Sequence, residues 1–104
     1  MQLTPELILV VNDNEAGRYA TNRILTRAGF QTMEAATGEE GLRLARSASP
    51  QLVVLDINLP DINGVDVCRQ LKADVKTANT MVLQVSLIWE TAAYSSTAST
   101  TPDW

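Results

Sequence analysis

Histidine is missing altogether from the 104 residues. Its absence excludes histidine-based acid–base catalysis, histidine metal ligation and any role as a phosphohistidine donor. Cysteine occurs once, at Cys68, so no internal disulfide can form. Cys68 falls on the apolar side of a helical pattern, where a small core residue is the ordinary role, and a reducing cytoplasm is the expected location. Basic residues are few: 8 Lys and Arg stand against 12 Asp and Glu, for a net charge of −4, and they are scattered singly. Without a basic stripe to neutralise phosphates, direct nucleic-acid binding by this chain is not expected. No apolar run approaches the roughly 18 residues that span a bilayer. The opening MQLTPEL also lacks the basic segment of an export signal, so no membrane insertion is expected. A glycine-rich phosphate loop ending in Gly-Lys-Ser/Thr, a GxGxxG after a strand, and a CxxC pair are all absent. The length itself leaves room for one domain with one core.

What is present is organised around residues 51–66, QLVVLDINLPDINGVD. Leu52, Val53, Val54 and Leu55 do not alternate with polar residues, which predicts a strand of a parallel sheet covered on both faces. Asp56 ends that strand. In open α/β sheets ligands bind beyond the carboxyl ends of the strands, so chemistry is expected at Asp56. In the loop that follows, Pro60 holds Leu59 extended, and Asn63-Gly64 can supply the positive φ of a tight turn. A second apolar run, residues 7–11, ends in Asn12-Asp13-Asn14, and a third, residues 81–85, ends in the hydroxyl of Ser86. Carboxylates beside a hydroxyl at one sheet edge suggest a divalent cation and an anionic group.

Residues 1–6 form a polar leader. After the first strand, Ala16, Ala20, Ile24 and Ala28 recur at helical spacing, widened by Leu25, with Asn14 or Asp13 as cap and Gly29 at the left-handed end position. Residues 30–35 are a weak strand candidate. Thr37-Gly38-Glu39-Glu40 is a capping box that opens a second helix running to about Ala48, where Ser49-Pro50 breaks it. A third helix from about Gly64 to Ala73 buries Val67, Cys68 and Leu71, and a polar connector leads to the last strand. Strand–helix alternation of this kind predicts an α/β doubly wound parallel sheet with right-handed crossovers. From Glu90 onward the composition turns to Ala, Ser and Thr with no helical stripe, and residues 87–104 read as an atypical, irregular tail.

These segments together resemble the receiver domain of two-component response regulators, especially receivers attached to hybrid sensor histidine kinases, over residues 7–86. The resemblance is carried by ILVVNDNEAGR at the first strand, AATGEEGL at the second helix, LVVLDINLPDINGVDVCRQLK around Asp56, and VLQVS at the fourth strand. It implies a flavodoxin-like receiver fold with strand order 2-1-3-4. It also implies that Asp56 is the phosphoacceptor, that Asp13, Asp56 and the backbone carbonyl of Asn58 ligate Mg²⁺, and that Ser86 is the switch hydroxyl. Asn12 stands where the family has a second acidic residue, and its amide is expected to hold a metal-bound water. The family's fifth strand, with a lysine before a proline, and its last helix are not visible. The only proline after Ser86 is Pro102, preceded by Thr101, and the last lysine is Lys76.

The expected function is that of a phosphorelay receiver rather than an enzyme, with at most self-phosphorylation and dephosphorylation at Asp56. Its partner would be a histidine kinase or a phosphotransfer protein. The alternative is a pseudo-receiver or truncated remnant that acts only as an interaction module, since the lysine cannot be assigned. The run MVLQVSLIW at residues 81–89 is β-prone and uncharged, and predicts a homodimer through an exposed edge there.

Overall fold

A computed structural model describes residues 6–85. Four parallel strands and three helices alternate: β1 (Leu7–Val11), α1 (Glu15–Arg27), β2 (Gln31–Ala35), α2 (Gly38–Ala48), β3 (Leu52–Asp56), α3 (Gly64–Ala73) and β4 (Met81–Val85). The sheet order is β2-β1-β3-β4, and every pairing is parallel. With right-handed crossovers, this order sends α1 to one face of the sheet and α2 and α3 to the other. The expected leader residues 1–5, Ser86 and the tail 87–104 lie outside the described residues. Among the described residues, no helix is long and apolar enough to cross a membrane.

The core lies beneath α2 and α3. Leu9 and Val11 of β1 and Val53 and Leu55 of β3 meet Leu42, Ala45, Val67 and Leu71, all buried. Cys68 is half-buried against this cluster, as its helical position predicts. On the opposite face β1 is covered, with Ile8 and Val10 at 3% and 1% exposure. β3 is not covered equally: Leu52 and Val54 are only half-buried, so the expectation of two closed faces holds on one side of this strand.

Helix α1 turns a different side to the sheet than its apolar spacing suggests. Ala16, Ala20 and Ala28 are exposed and Ile24 is 68% exposed, while Gly17, Arg18, Thr21, Asn22 and Leu25 are half-buried. Polar bonds decide the rotation. Arg18 donates to the Asn12 carbonyl (2.8 Å) and pairs with Glu34 (3.1 Å), and Asn22 accepts from the Thr32 hydroxyl. Bonds to groups on β2 and at the end of β1 hold this side of the helix to the sheet, and Ile24 stays outside with the three alanines.

The caps follow the sequence with two differences. Asn14 caps α1 by accepting from Gly17 N (2.8 Å), and Gly29 takes φ +101° after the helix. Thr37 accepts from Glu40 N (3.1 Å), but Glu40 reaches back to Ala36 N rather than to the cap residue itself. Asn63 is extended (φ −67°) and caps α3, its Oδ1 accepting from Val65 N at 2.7 Å, so Asn63-Gly64 is a helix start and not a positive-φ turn. Gly64 is required for space instead. A Cβ there would lie 2.6 Å from the Asp56 carbonyl oxygen and 2.7 Å from Ile57 Cα.

Because those obstacles are backbone, they cannot swing aside. Gly64→Ala is expected to destabilise the domain by about 1–3 kcal/mol, the usual cost of overpacking. Thermal unfolding followed by circular dichroism measures this, and an unchanged or higher Tm would show that α3 starts with more slack than its contacts indicate.

Candidate functional site

The β-sheet brings Asp56 and Asp13 to one edge, as the sequence predicts. Asp56 is the last residue of β3 and is only 6% exposed. Its Oδ1 accepts from Asn58 N at 3.1 Å, which folds the chain back over the strand end. The ladder continues one step beyond, with Ile57 N donating to Val85 O at 3.0 Å. Asp13 follows β1 two residues after Val11 and is exposed. Burial pushes the Asp56 carboxyl above the ordinary aspartate range, the negative charge of Asp13 adds to the rise, and the N–H groups of Asn58 and Ile57 offset part of it.

Between Asp13 and the loop that follows Asp56 lies an open crevice of about 330 Å³, lined by Asp13, Ile57, Asn58, Pro60, Asp61 and Asn63 among others. A larger groove of about 870 Å³ runs along α2 to Gln70 and Lys76, but it contains none of the strand-end residues. Its Arg46 is already paired with Asp74 at 2.9 Å.

Asn12 is buried at 3% exposure and pinned from three directions. Its N–H donates to Ala35 O (3.0 Å), its carbonyl accepts from Arg18, and its Oδ1 accepts from Asn14 N (2.9 Å). The amide oxygen therefore has an intrachain partner, and only its second lone pair is open to a water. Among the described residues, no group of three or more His, Cys, Asp or Glu side chains converges as a metal cluster. A cation here would be held by two carboxylates and backbone or amide oxygen. The Ser86 hydroxyl lies outside the described residues; Val85, just before it, is the register partner of Asp56.

Two contributors went unread in the sequence. Arg18 holds the end of β1 from α1, and Asp61 accepts from Gly38 N and Glu39 N, both at 2.8 Å. These amides, first of all that of Glu39, hold the Asp61 carboxyl below the usual range. Neither contact has a sequence period that could reveal it.

The family model described as the response regulator receiver domain matches residues 8–98. The polar-differentiation response regulator DivK of Brucella anthropi is 32% identical over 82 residues, covering 79% of this chain and 67% of DivK. The transcriptional regulatory protein AfsQ1 of Streptomyces coelicolor is 45% identical over 65 residues, covering 62% of this chain but 29% of AfsQ1. The chain thus spans under a third of that regulator's length. Among solved structures, the N-terminal domain of a response regulator receiver protein from Methanoculleus marisnigri superposes with a TM-score of 0.74 at 31% identity, covering 86% of this chain and 76% of that one.

The raised pKa of Asp56 has a consequence for stability with a definite sign. Between the unfolded value, about 4, and the higher folded one, the folded protein binds more protons than the unfolded chain. Stability therefore falls as pH rises through that window. Asp56→Asn removes this decline while leaving the depressed carboxylates Asp61 and Asp74 in place. In metal-free buffer Asp56→Asn is expected to melt higher than the wild type at pH 7, with the gap closing below about pH 4. Equal dependence of Tm on pH in the two proteins would contradict this account of Asp56.

Proposed function

The chain belongs to the response regulator receiver domain family, and from that premise we propose that Asp56 accepts a phosphoryl group from the phosphohistidine of a histidine kinase or phosphotransfer protein. The observation that carries the reading is the placement of a buried carboxylate at the carboxyl end of β3, within electrostatic reach of Asp13, which with the loop after β3 lines a crevice. A carboxylate oxygen of Asp56 attacks phosphorus in line with the scissile P–N bond. That bond breaks, the imidazole departs with its electron pair, and an acyl phosphate remains on Asp56. The Asn58 amide holds Oδ1 in place, which presents the other carboxylate oxygen to the donor.

A divalent cation fits the residues present. Asp13 raises the pKa of Asp56 by repulsion, and among the described residues neither carboxylate has a salt bridge to Arg or Lys. In this reading Asp13, Asp56 and the Asn58 carbonyl would hold Mg²⁺, which needs few protein oxygens because it keeps several waters, and Asn12 would accept from one of those waters. When bound, the ion offsets the charge that spreads over the phosphoryl oxygens. Asn12 contributes no charge of its own, so affinity is expected to be lower than with two acidic residues. Ser86, by resemblance, donates its hydroxyl to a phosphate oxygen. The module works in the cytoplasm and, with a net charge of −4, does not bind nucleic acid directly.

Incubation of the chain with a small phosphodonor and Mg²⁺, followed by intact-mass spectrometry, tests the reading. One hydroxylamine-sensitive phosphoryl adduct is expected in the wild type, and none in Asp56→Asn. An adduct that persists in Asp56→Asn, or no adduct at all, would instead favour a pseudo-receiver that serves only as an interaction module.

Self-association along residues 81–89 completes the proposal. Within the described part of that run Met81 is 67% exposed and the other β4 positions are only half-buried, at the end of the sheet. Light scattering after size-exclusion chromatography at micromolar concentration is expected to give the mass of a dimer. A monomer that melts cooperatively would contradict it.

A further inference from the structure

The loop that carries Asn58 is fixed at both ends by backbone bonds, with Ile57 N donating to Val85 O and Gly64 N to Ile57 O, each at 3.0 Å. Its middle is held by something else. The Asp61 carboxylate crosses to α2 and accepts from Gly38 N through one oxygen and Glu39 N through the other, both at 2.8 Å. Thr37 Oγ1 takes the Glu40 amide. The three first-turn amides of α2 are thus all satisfied, two of them by a residue more than twenty positions away in the loop after β3. Beside this bond Ile62 is seated directly on Gly38, where a Cβ would lie 2.6 Å from Ile62 Cγ1. Ile62 also packs on the core. Such charge-assisted pairs are short and about twice as strong as neutral ones.

We propose that Asp61 is a positioning residue for the phosphoacceptor site, holding the loop from Ile57 to Asn63 against α2 so that the Asn58 backbone stays over Asp56. The loop's backbone hydrogen bonds lie at its two ends, and apart from the packing of Leu59 and Ile62 on the core its middle depends on this tie. Pro60, in the middle, has no N–H to donate. Asp61 gives each oxygen to one α2 amide, which orients the carboxylate toward the helix as a brace. The part of the inference that concerns Mg²⁺ rests on the function proposed above, whereas the brace itself does not.

Three variants separate bracing from helix capping: Asp61→Ala, Asp61→Asn, which keeps one acceptor oxygen, and Thr37→Ala, which removes a cap from the same helix end without touching the loop. Amide hydrogen exchange on the metal-free chain is the first measurement. Faster exchange of Asn58 and Gly64 is expected in Asp61→Ala, a smaller increase in Asp61→Asn, and none in Thr37→Ala beyond its global loss of stability. Mg²⁺ titration followed by amide shifts is the second. Asp61→Ala is expected to weaken binding by ~10-fold, the lower end of what outer-shell partners contribute, and Thr37→Ala to leave it unchanged. If Asn58 and Gly64 exchange alike in Asp61→Ala and Thr37→Ala, or as in the wild type, the inference is overturned. If the exchange result holds but no protein binds Mg²⁺, the brace stands and the metal reading fails.

Discussion

Everything at the functional edge follows from one constraint, a carboxylate that must be buried beside another negative charge. Asp56 is almost inaccessible, and burial together with Asp13 disfavours its ionised form. The scaffold supplies only a partial remedy, the N–H groups of Asn58 and Ile57. A protein of this size has a net stability of about 5–15 kcal/mol, so an arrangement that disfavours its own charge is expected to exist for chemistry. The same residue that weakens the fold is the one the proposed chemistry uses.

The surrounding architecture deepens the constraint. Each helix has acidic residues in its first turn and a basic residue in its last: Glu15 and Arg27 in α1, Glu39, Glu40 and Arg46 in α2, Asp66 and Lys72 in α3. This polarity complements the helix dipoles. In a parallel α/β sheet each of these helices begins at the edge where a strand ends, so the pattern gathers negative charge around Asp13 and Asp56 and sends positive charge to the opposite edge. The Asp61 carboxylate joins that edge but is neutralised locally by two α2 amides. The proposed cation would answer this gathering of negative charge, and the proposed phosphoryl transfer would depend on it.

The order of elements, the parallel sheet and the positions of Asp13 and Asp56 were legible because they rest on local signals: uninterrupted apolar runs, Thr37 and Asn14 as caps, and Pro50 as a break. What was not legible depends on contacts between segments. The alanine stripe of α1 turned outward as Arg18 and Asn22 found polar partners just after β1 and on β2, and a period of 3.6 cannot weigh that. Asn63-Gly64 looked like a tight turn since its dipeptide chemistry suits one. Only the proximity of the Asp56 carbonyl shows that Gly64 is there for space. Asp61 escaped notice for the same reason, as its partners lie on another helix. The Asn12 amide was expected to face a metal-bound water, and half its acceptor capacity is taken by Asn14 N, an Asx contact that short-range spacing does allow.

The most direct measurement of the central claim, that two carboxylates and a loop carbonyl form one cation site at this edge, uses Mn²⁺ as a paramagnetic stand-in for Mg²⁺. Amide spectra at substoichiometric Mn²⁺ are expected to lose the signals of Asp13 and of residues 56–58 first, with Asp13→Asn shifting this loss to higher Mn²⁺. Broadening centred instead on the first turn of α2 around Glu39 and Glu40, or spread evenly over the acidic residues, would contradict it.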